Sequence, residues 1–369
     1  MRSRPNHRHG QRSDRAGDAH RRILAALDRA DRLRATALAE LGRLPLDDSR
    51  SGFLLGPELA RLLRTRASRL RASAGYLGHA LGWKRVAGQV RPELAVTVFV
   101  EEKLSARQLA RRRGAAVPRR LRSGDLHLAT DVVGWSLSPL AQRPRIAGQL
   151  TAPIASIAPT APTASIAPIA SIAPAALHAT TIVPGASIGP LGIVNPGTLT
   201  CFAWDADHRF VGVTAGHVAR NASQHDSPAG SGAVFGSLAA SSLSPVDAAT
   251  IVIESPWSQV MPNGSHMIAA RPVTASDVGQ PVYVYGAQTG QWSAGTLEYL
   301  APWVAGWNVA DAIVYSAMTA PGDSGGPVID PQGHLLGIHL GRGRHDHHDV
   351  AIAGTIARVA SDFRLTPTF

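Results

Sequence analysis

The stretch Pro321-Gly322-Asp323-Ser324-Gly325-Gly326-Pro327-Val328 brings together a hydroxyl and the small residues it needs around it to attack a carbonyl. A serine is a poor nucleophile at neutral pH unless a base takes its proton and donors stabilise the oxyanion that forms. Gly322 can adopt backbone angles closed to other residues, so the N–H groups of Gly322 and Ser324 can converge on one spot as an oxyanion hole. Gly325 and Gly326 let the chain leave the turn with no side chain over the reacting bond. An ordinary serine in a Gly/Pro surface turn is the plainer alternative, and only a base with its orienting partner separates the two.

Candidates for both partners lie upstream. Phe210-Val211-Gly212-Val213-Thr214-Ala215-Gly216-His217-Val218 is an apolar run ending in a small-residue turn that presents a histidine, and Val246-Asp247-Ala248-Ala249-Thr250-Ile251-Val252-Ile253 is an aspartate leading into a buried-strand pattern. His208, His225 and Asp226 lie in polar, loop-like stretches, and Asp205 and Asp207 sit in what reads as a hairpin tip, so they are weaker candidates. The Thr-Ala-Gly-His and Gly-Asp-Ser-Gly-Gly-Pro segments resemble the signatures of the chymotrypsin-like (trypsin-like) serine proteases. The order His, Asp, Ser is the one carried by the double β-barrel of that superfamily. The resemblance implies His217 as general base, Asp247 as the group that orients the imidazole, and Ser324 as nucleophile. The short separation of His217 and Asp247 is similar to that of compact bacterial and high-temperature-requirement type proteases. With the chain ending at Phe369, no peptide-binding domain is expected after the catalytic one.

In that fold the pocket for the residue on the acyl side of the cut (P1) is walled by residues just before the nucleophile and by the strand some way after it. The residues there are Met318, Thr319 and His339. A preference for Arg or Lys needs a buried carboxylate at the pocket base, and Met318 stands at the corresponding place. Thr319 and His339 match the hydroxyl and histidine of bacterial glutamyl endopeptidases, which implies P1 Glu or Gln; a His339 satisfied by a neighbour, with a pocket for small apolar side chains, is the other reading. No basic cleavage site precedes the barrel, so Asp323 must find a partner other than a freed N-terminus or hold its loop through backbone hydrogen bonds. The cluster His345-Asp346-His347-His348-Asp349 reads as a solvated turn; no metal and no cofactor is expected.

These residues need a scaffold, and 369 residues with 44% hydrophobic content supply enough chain for more than one core. The one cysteine, Cys201, cannot form an internal disulfide, the N-terminus carries no apolar leader, and no uninterrupted apolar run of about 18 residues is present. A cytoplasmic protein without membrane association is expected. Residues 1–134 carry 28 Lys+Arg against 13 Asp+Glu, a net of +15, and the remainder is at −4. Only Lys84 and Lys103 are lysines and no nucleic-acid-binding motif accompanies the arginines, so a protein or peptide substrate is expected rather than nucleic acid. The sequence leaves the oligomeric state open.

Residues 1–18 read as a disordered basic tail, and residues 19–140 as a small α/β domain with helices. Its amphipathic helices are expected from Ile23 to Leu41 and from Glu58 to Ala74 behind Pro57. A strand is expected over Glu93–Val100, a short helix near Ser105–Arg112, and a second strand over Leu126–Val133. Gly78, Gly82-Trp83-Lys84, Ala95–Leu104, Val117-Pro118 and Thr130-Asp131-Val132 resemble the domain preceding the protease in bacterial and plant "narrow leaf" type trypsin-like proteins, which implies a regulatory or substrate-presenting role. Lys84, Glu101, Glu102 and Lys103 read as solvated strand-edge charges. Residues 141–183, with Ser-Ile-Ala-Pro three times over, read as an extended spacer, and residues 184–369 as the double-barrel protease domain, its first strand Gly197–Cys201. Two functions remain: a serine endopeptidase, or a catalytically latent binding or regulatory protein on the same barrel.

Overall fold

Apolar runs such as Phe210–Thr214 and Ala248–Ile253 carry hydrophobic residues toward both faces, the pattern of strands buried inside a curled sheet. The computed structural model describes residues 53–86, 89–111, 115–138, 181–194, 196–304, 309–345 and 348–369. The basic tail, the helix expected over Ile23–Leu41 and nearly all of the spacer lie outside them.

In chain order the elements before the spacer are β1 (Phe53–Leu54), α1 (Pro57–Arg71), β2 (Tyr76–Val86), β3 (Gln89–Val100), α2 (Ala106–Leu109), β4 (Arg120–Ser123) and β5 (Leu126–Ser138). A first barrel-like unit follows, with β6 (Ser187–Pro190), β7 (Gly197–Thr198), β8 (Cys201–Trp204), β9 (Phe210–Thr214), α3 (Gly216–Ala219), β10 (Gln224–Asp226), β11 (Val234–Ser242) and β12 (Ala248–Ile253). The remainder is β13 (Ala269–Ala270), β14 (Val273–Thr274), β15 (Pro281–Tyr285), β16 (Trp292–Val304), β17 (Val309–Ser316), β18 (Pro327–Ile329), β19 (His334–His345), β20 (His348–Thr355), α4 (Ile356–Phe363) and β21 (Thr366–Thr368).

The first unit is a curled sheet in the order β21-β8-β9-β12-β11-β10-β6-β7, filled by Leu199, Phe202, Val211, Val213, Phe235 and Ile251. The C-terminal β21 covers the edge of β8, with Thr366 opposite Trp204. In the second unit β15-β18-β19-β20-β17-β16 closes on itself through β15–β16, around Val284, Leu297, Ile313, Tyr315, Val328 and Leu336. The two units are thus a half-barrel beside a closed six-stranded barrel, the chymotrypsin-like arrangement expected from the sequence.

The strands before the spacer add to the second barrel instead of forming a sheet of their own. β2 pairs antiparallel with β16, β3 with β2, β5 runs parallel to β3, and the far end of β5 returns to pair with β19. Gly82 makes the first junction possible: a Cβ there would stand 2.3 Å from the Tyr299 ring. Next to it, the Trp83 indole N–H donates to the Val278 carbonyl at 3.1 Å. Helix α1 begins at Pro57 as the sequence predicts and lays Leu59, Leu62, Leu63 and Leu70 into the core that contains β3 and the second barrel. The short helix α2 has the capping box that Ser105 and Gln108 encode. Lys84 pairs with Glu93 at the surface, 3.5 Å apart.

Candidate active site

The register of two strands brings the candidate base and its partner together. β9 and β12 pair antiparallel with Thr214 opposite Ala249, so the residues just past the end of β9 and just before the start of β12 are neighbours. Those residues are His217 and Asp247. His217 Nδ1 lies 2.7 Å from Asp247 Oδ2, and the His217 backbone N–H donates to Asp247 Oδ1 at 2.9 Å. One carboxylate therefore fixes both the position and the ring orientation of the histidine. Gly216 fits between because nothing larger can: a Cβ would lie 2.1 Å from the Ser242 carbonyl oxygen.

The loop that carries Ser324 joins Ser316, at the end of β17, to Pro327, at the start of β18, and the first unit holds it. Thr198 donates its backbone N–H to the Ser324 carbonyl at 2.7 Å and its hydroxyl to the Gly322 carbonyl at 2.9 Å. Thr200 Oγ1 donates to the Gly325 carbonyl, and Thr214 Oγ1 braces the Thr198 carbonyl at 2.7 Å. From the second barrel, the buried Asp323 carboxylate accepts the backbone N–H groups of Gln288 (3.1 Å), Thr289 (3.0 Å) and Ala320 (2.7 Å). Asp323 thus holds its loop through backbone hydrogen bonds.

At Gly322 φ is +107°, a conformation that side chains disfavour. Among the described residues the N–H groups of Gly322 and Ser324 have no hydrogen-bond partner. The Ser324 hydroxyl, buried, donates to the Leu340 carbonyl at 3.1 Å; no hydrogen bond joins it to His217. Catalytic hydrogen bonds are often long in ligand-free enzymes and close only on a substrate.

The three residues expected at the P1 pocket have different environments. Met318 is 86% exposed and lines an open recess of about 300 Å³ together with Thr319, Ala317, Arg342 and Asp349. The Thr319 hydroxyl is buried without a partner. His339 is fully buried in β19 and does not line that recess. Its Nδ1 lies 2.8 Å from the Tyr315 hydroxyl, and its Nε2 has no partner. Burial, helped by the nearby His217, pushes the His339 pKa down to about 3, and the Ile352 carbonyl, outside hydrogen-bond geometry, offsets this slightly. Burial and the Asp323 charge push Tyr315 well above its ordinary value, so it keeps its proton. Arg342 reaches the Thr319 carbonyl at 3.4 Å.

Asp205 forms a hairpin tip with Arg209, as its sequence suggests. His225 and Asp226 are buried in β10 instead of lying in a loop. Asp226 organises the neighbouring turns by accepting the N–H groups of Gly192, Gly230 and Gly232, and His225 contacts the Ala219 carbonyl at 3.2 Å. Asp346 and His347 lie outside the described residues, among which no cluster with metal-ligand geometry occurs. Cys201 is fully buried and its thiol pKa is pushed up to about 12. No described helix is long and apolar enough to cross a membrane.

The family model of the trypsin-like peptidase domain matches residues 199–338, a span that leaves out residues 75–135. Among solved structures, a Nocardiopsis protease is 18% identical with a TM-score of 0.42, covering 52% of this chain and 100% of its own. Protease A of Thermobifida fusca is 20% identical, with a TM-score of 0.43 and coverage of 51% and 99%. A glutamic acid specific serine protease that uses a histidine triad in substrate binding is 24% identical, with a TM-score of 0.43 and coverage of 51% and 100%. No protein of curated function matches the chain. Residues 199–338 thus match the trypsin-like peptidase domain model, and the pair of barrels that carries them has the chymotrypsin-like arrangement.

Proposed function

We propose that this protein is a serine endopeptidase that cuts on the carboxyl side of Glu or Gln. The observation that carries the peptidase reading is the 2.7 Å contact of His217 with Asp247, set in the same small region as a serine loop with two unpartnered N–H groups. His217 Nε2 takes the Ser324 Oγ proton as the oxygen attacks the scissile carbonyl, and Asp247 stabilises the imidazolium without taking a proton. The oxyanion that forms accepts hydrogen bonds from Gly322 N–H and Ser324 N–H. His217 then protonates the leaving amine as the C–N bond breaks, leaving an acyl ester on Ser324. Water, deprotonated by His217, attacks that ester and releases the acid and the free serine.

The P1 reading rests on two buried groups without partners, Thr319 Oγ1 and His339 Nε2. An unpaired buried polar group costs about 1–3 kcal/mol, so a substrate side chain that reaches and satisfies either group is favoured. With Tyr315 holding its proton and donating to His339 Nδ1, the neutral ring would carry its hydrogen on Nε2. A side-chain carboxylate or carboxamide accepts from either the Nε2–H or the threonine hydroxyl. Arg342 and Asp349 line the same recess as Thr319, so the charge there does not separate Glu from Gln.

A peptide library screened with the full chain, with Ser324→Ala as control, tests this reading. Dominant cleavage after Glu or Gln is expected, and dominant cleavage after Leu or Arg would overturn it.

A further inference from the structure

The strand that walls the P1 pocket has one short stretch of free edge. Along β19, one edge is taken by β20 from Gly337 through His345. On the opposite edge, β18 pairs with Leu335, Gly337 and Ile338, and Gly325 and Gly326 exchange hydrogen bonds with His339. The Ser324 hydroxyl comes next, on the Leu340 carbonyl. Beyond it β5 takes over, with Ser138 opposite Arg342, Leu137 opposite Gly343 and Trp135 opposite His345. Between these two stretches Leu340 and Gly341 have no strand paired to them on this side, a window of about 7 Å at the rise of a strand.

An extended peptide binds an exposed sheet edge by adding a strand, its main chain supplying the affinity. A substrate whose scissile carbonyl rests on Ser324 runs its acyl side along β19, because the leaving side must reach His217 on the first unit. β5 is antiparallel to β19 and points toward Leu340, so it occupies the line that such a substrate would follow, end to end with it. The third residue back from the cut would fall on Ser138.

Building on the peptidase reading above, we infer that β5 limits main-chain recognition on the acyl side to P1 and P2. The enzyme therefore takes a segment that bends away from the sheet two residues before the cut, such as an exposed turn or a short N-terminal overhang, and does not take a long extended strand. The strands before the spacer, anchored on β16 through β2, thus reach across and complete the wall of the cleft.

The test is a series of blocked peptides with one leaving group and two to six acyl-side residues, cleaved by the full chain. The P1 residue is whichever the library selects, so failure of the Glu/Gln reading leaves this test intact. Binding of the same peptides to the Ser324→Ala chain reads the same property without turnover. A change of less than about threefold in kcat/KM and in affinity across the series is expected, since no further ladder bonds are available. A rise of about tenfold or more by the fourth residue, the yield of two further net hydrogen bonds, would overturn the inference. Leu137→Pro and Ser138→Pro identify the cause. Adjacent amides of a strand point to opposite sides, so one of these variants removes a donor from the β5–β19 ladder. At least one is expected to gain a length dependence of about tenfold. Flat behaviour in both, with the protein folded, would show that β5 is not the limit. If neither variant folds, the series on the unaltered chain decides.

Discussion

Thr198 spans the two halves of the site: its hydroxyl donates to the Gly322 carbonyl at 2.9 Å, and its N–H donates to the Ser324 carbonyl two residues on, at 2.7 Å. The same hydroxyl accepts the Ala287 N–H at 2.9 Å. One residue of the first unit thereby holds the Gly322–Asp323 and Ser324–Gly325 peptide groups, on either side of the Asp323–Ser324 peptide that carries the Ser324 N–H. Thr198→Val keeps the shape, removes both hydroxyl bonds and leaves the Ala287 N–H unpaired. We expect kcat to fall by about 10–100-fold with KM nearly unchanged, because the donors would move by a fraction of an ångström. Thr198→Ser should restore most of the rate; steady-state kinetics on the three proteins would show it.

Asp323 is held by the N–H groups of Gln288, Thr289 and Ala320, so the loop does not depend on a freed N-terminus. Asp323→Asn turns a donor toward at least one of those N–H groups. Hydrogen bonds to a charged group contribute about 1.5–3 kcal/mol each, so a destabilisation of about that size and loss of activity are expected. The unaltered chain should be active without proteolytic trimming, and an intact-mass measurement on the active protein checks this.

Gly82 carries the junction between β2 and β16. Gly82→Ala forces the Tyr299 ring away from a Cβ that would sit 2.3 Å from it. A cost of about 1–3 kcal/mol is expected, as for other overpacked sites, read as a lowered unfolding midpoint in urea. An unchanged midpoint would mean that β2 is not docked there.

Acid should destabilise the fold in a defined window. Burial, with Arg71 nearby, lowers the His79 pKa from 6.5 to about 4, and its Nδ1 contacts the Tyr76 hydroxyl at 2.6 Å. The unfolded chain binds a proton at this residue that the folded chain refuses, so the stability present above pH 6.5 is lost as pH falls toward 4. The contribution of His79 is on the order of 3 kcal/mol. His339, lowered to about 3, acts in the same direction. Urea unfolding at about pH 7.5 and 4.5 should show the loss, and His79→Gln should reduce it by about one proton of linkage.

The residues that do local work were legible in the sequence. Pro57 starts a helix, Ser105 and Gln108 cap one, Asp205 closes a hairpin, and the small residues before His217 and around Ser324 form the tight turns they suggest. What the sequence does not show depends on which strand edges meet. Thr198, Thr200 and Thr214 look like ordinary strand residues until the two units are side by side. The polar appearance of His225-Asp226 conceals a buried aspartate serving three backbone amides. The strands before the spacer read as a separate domain because nothing local in Gly82 or Trp83 announces Tyr299 and Val278, some 200 residues away, as their neighbours. Met318 occupies the expected place in the chain, but its side chain lies in solvent.

If Ser324 is an activated nucleophile, a fluorophosphonate probe will label it covalently in the purified, folded chain. Labelling at Ser324 that disappears in Ser324→Ala and in His217→Ala is expected. A folded chain that takes no label, or that labels equally well without His217, would contradict it.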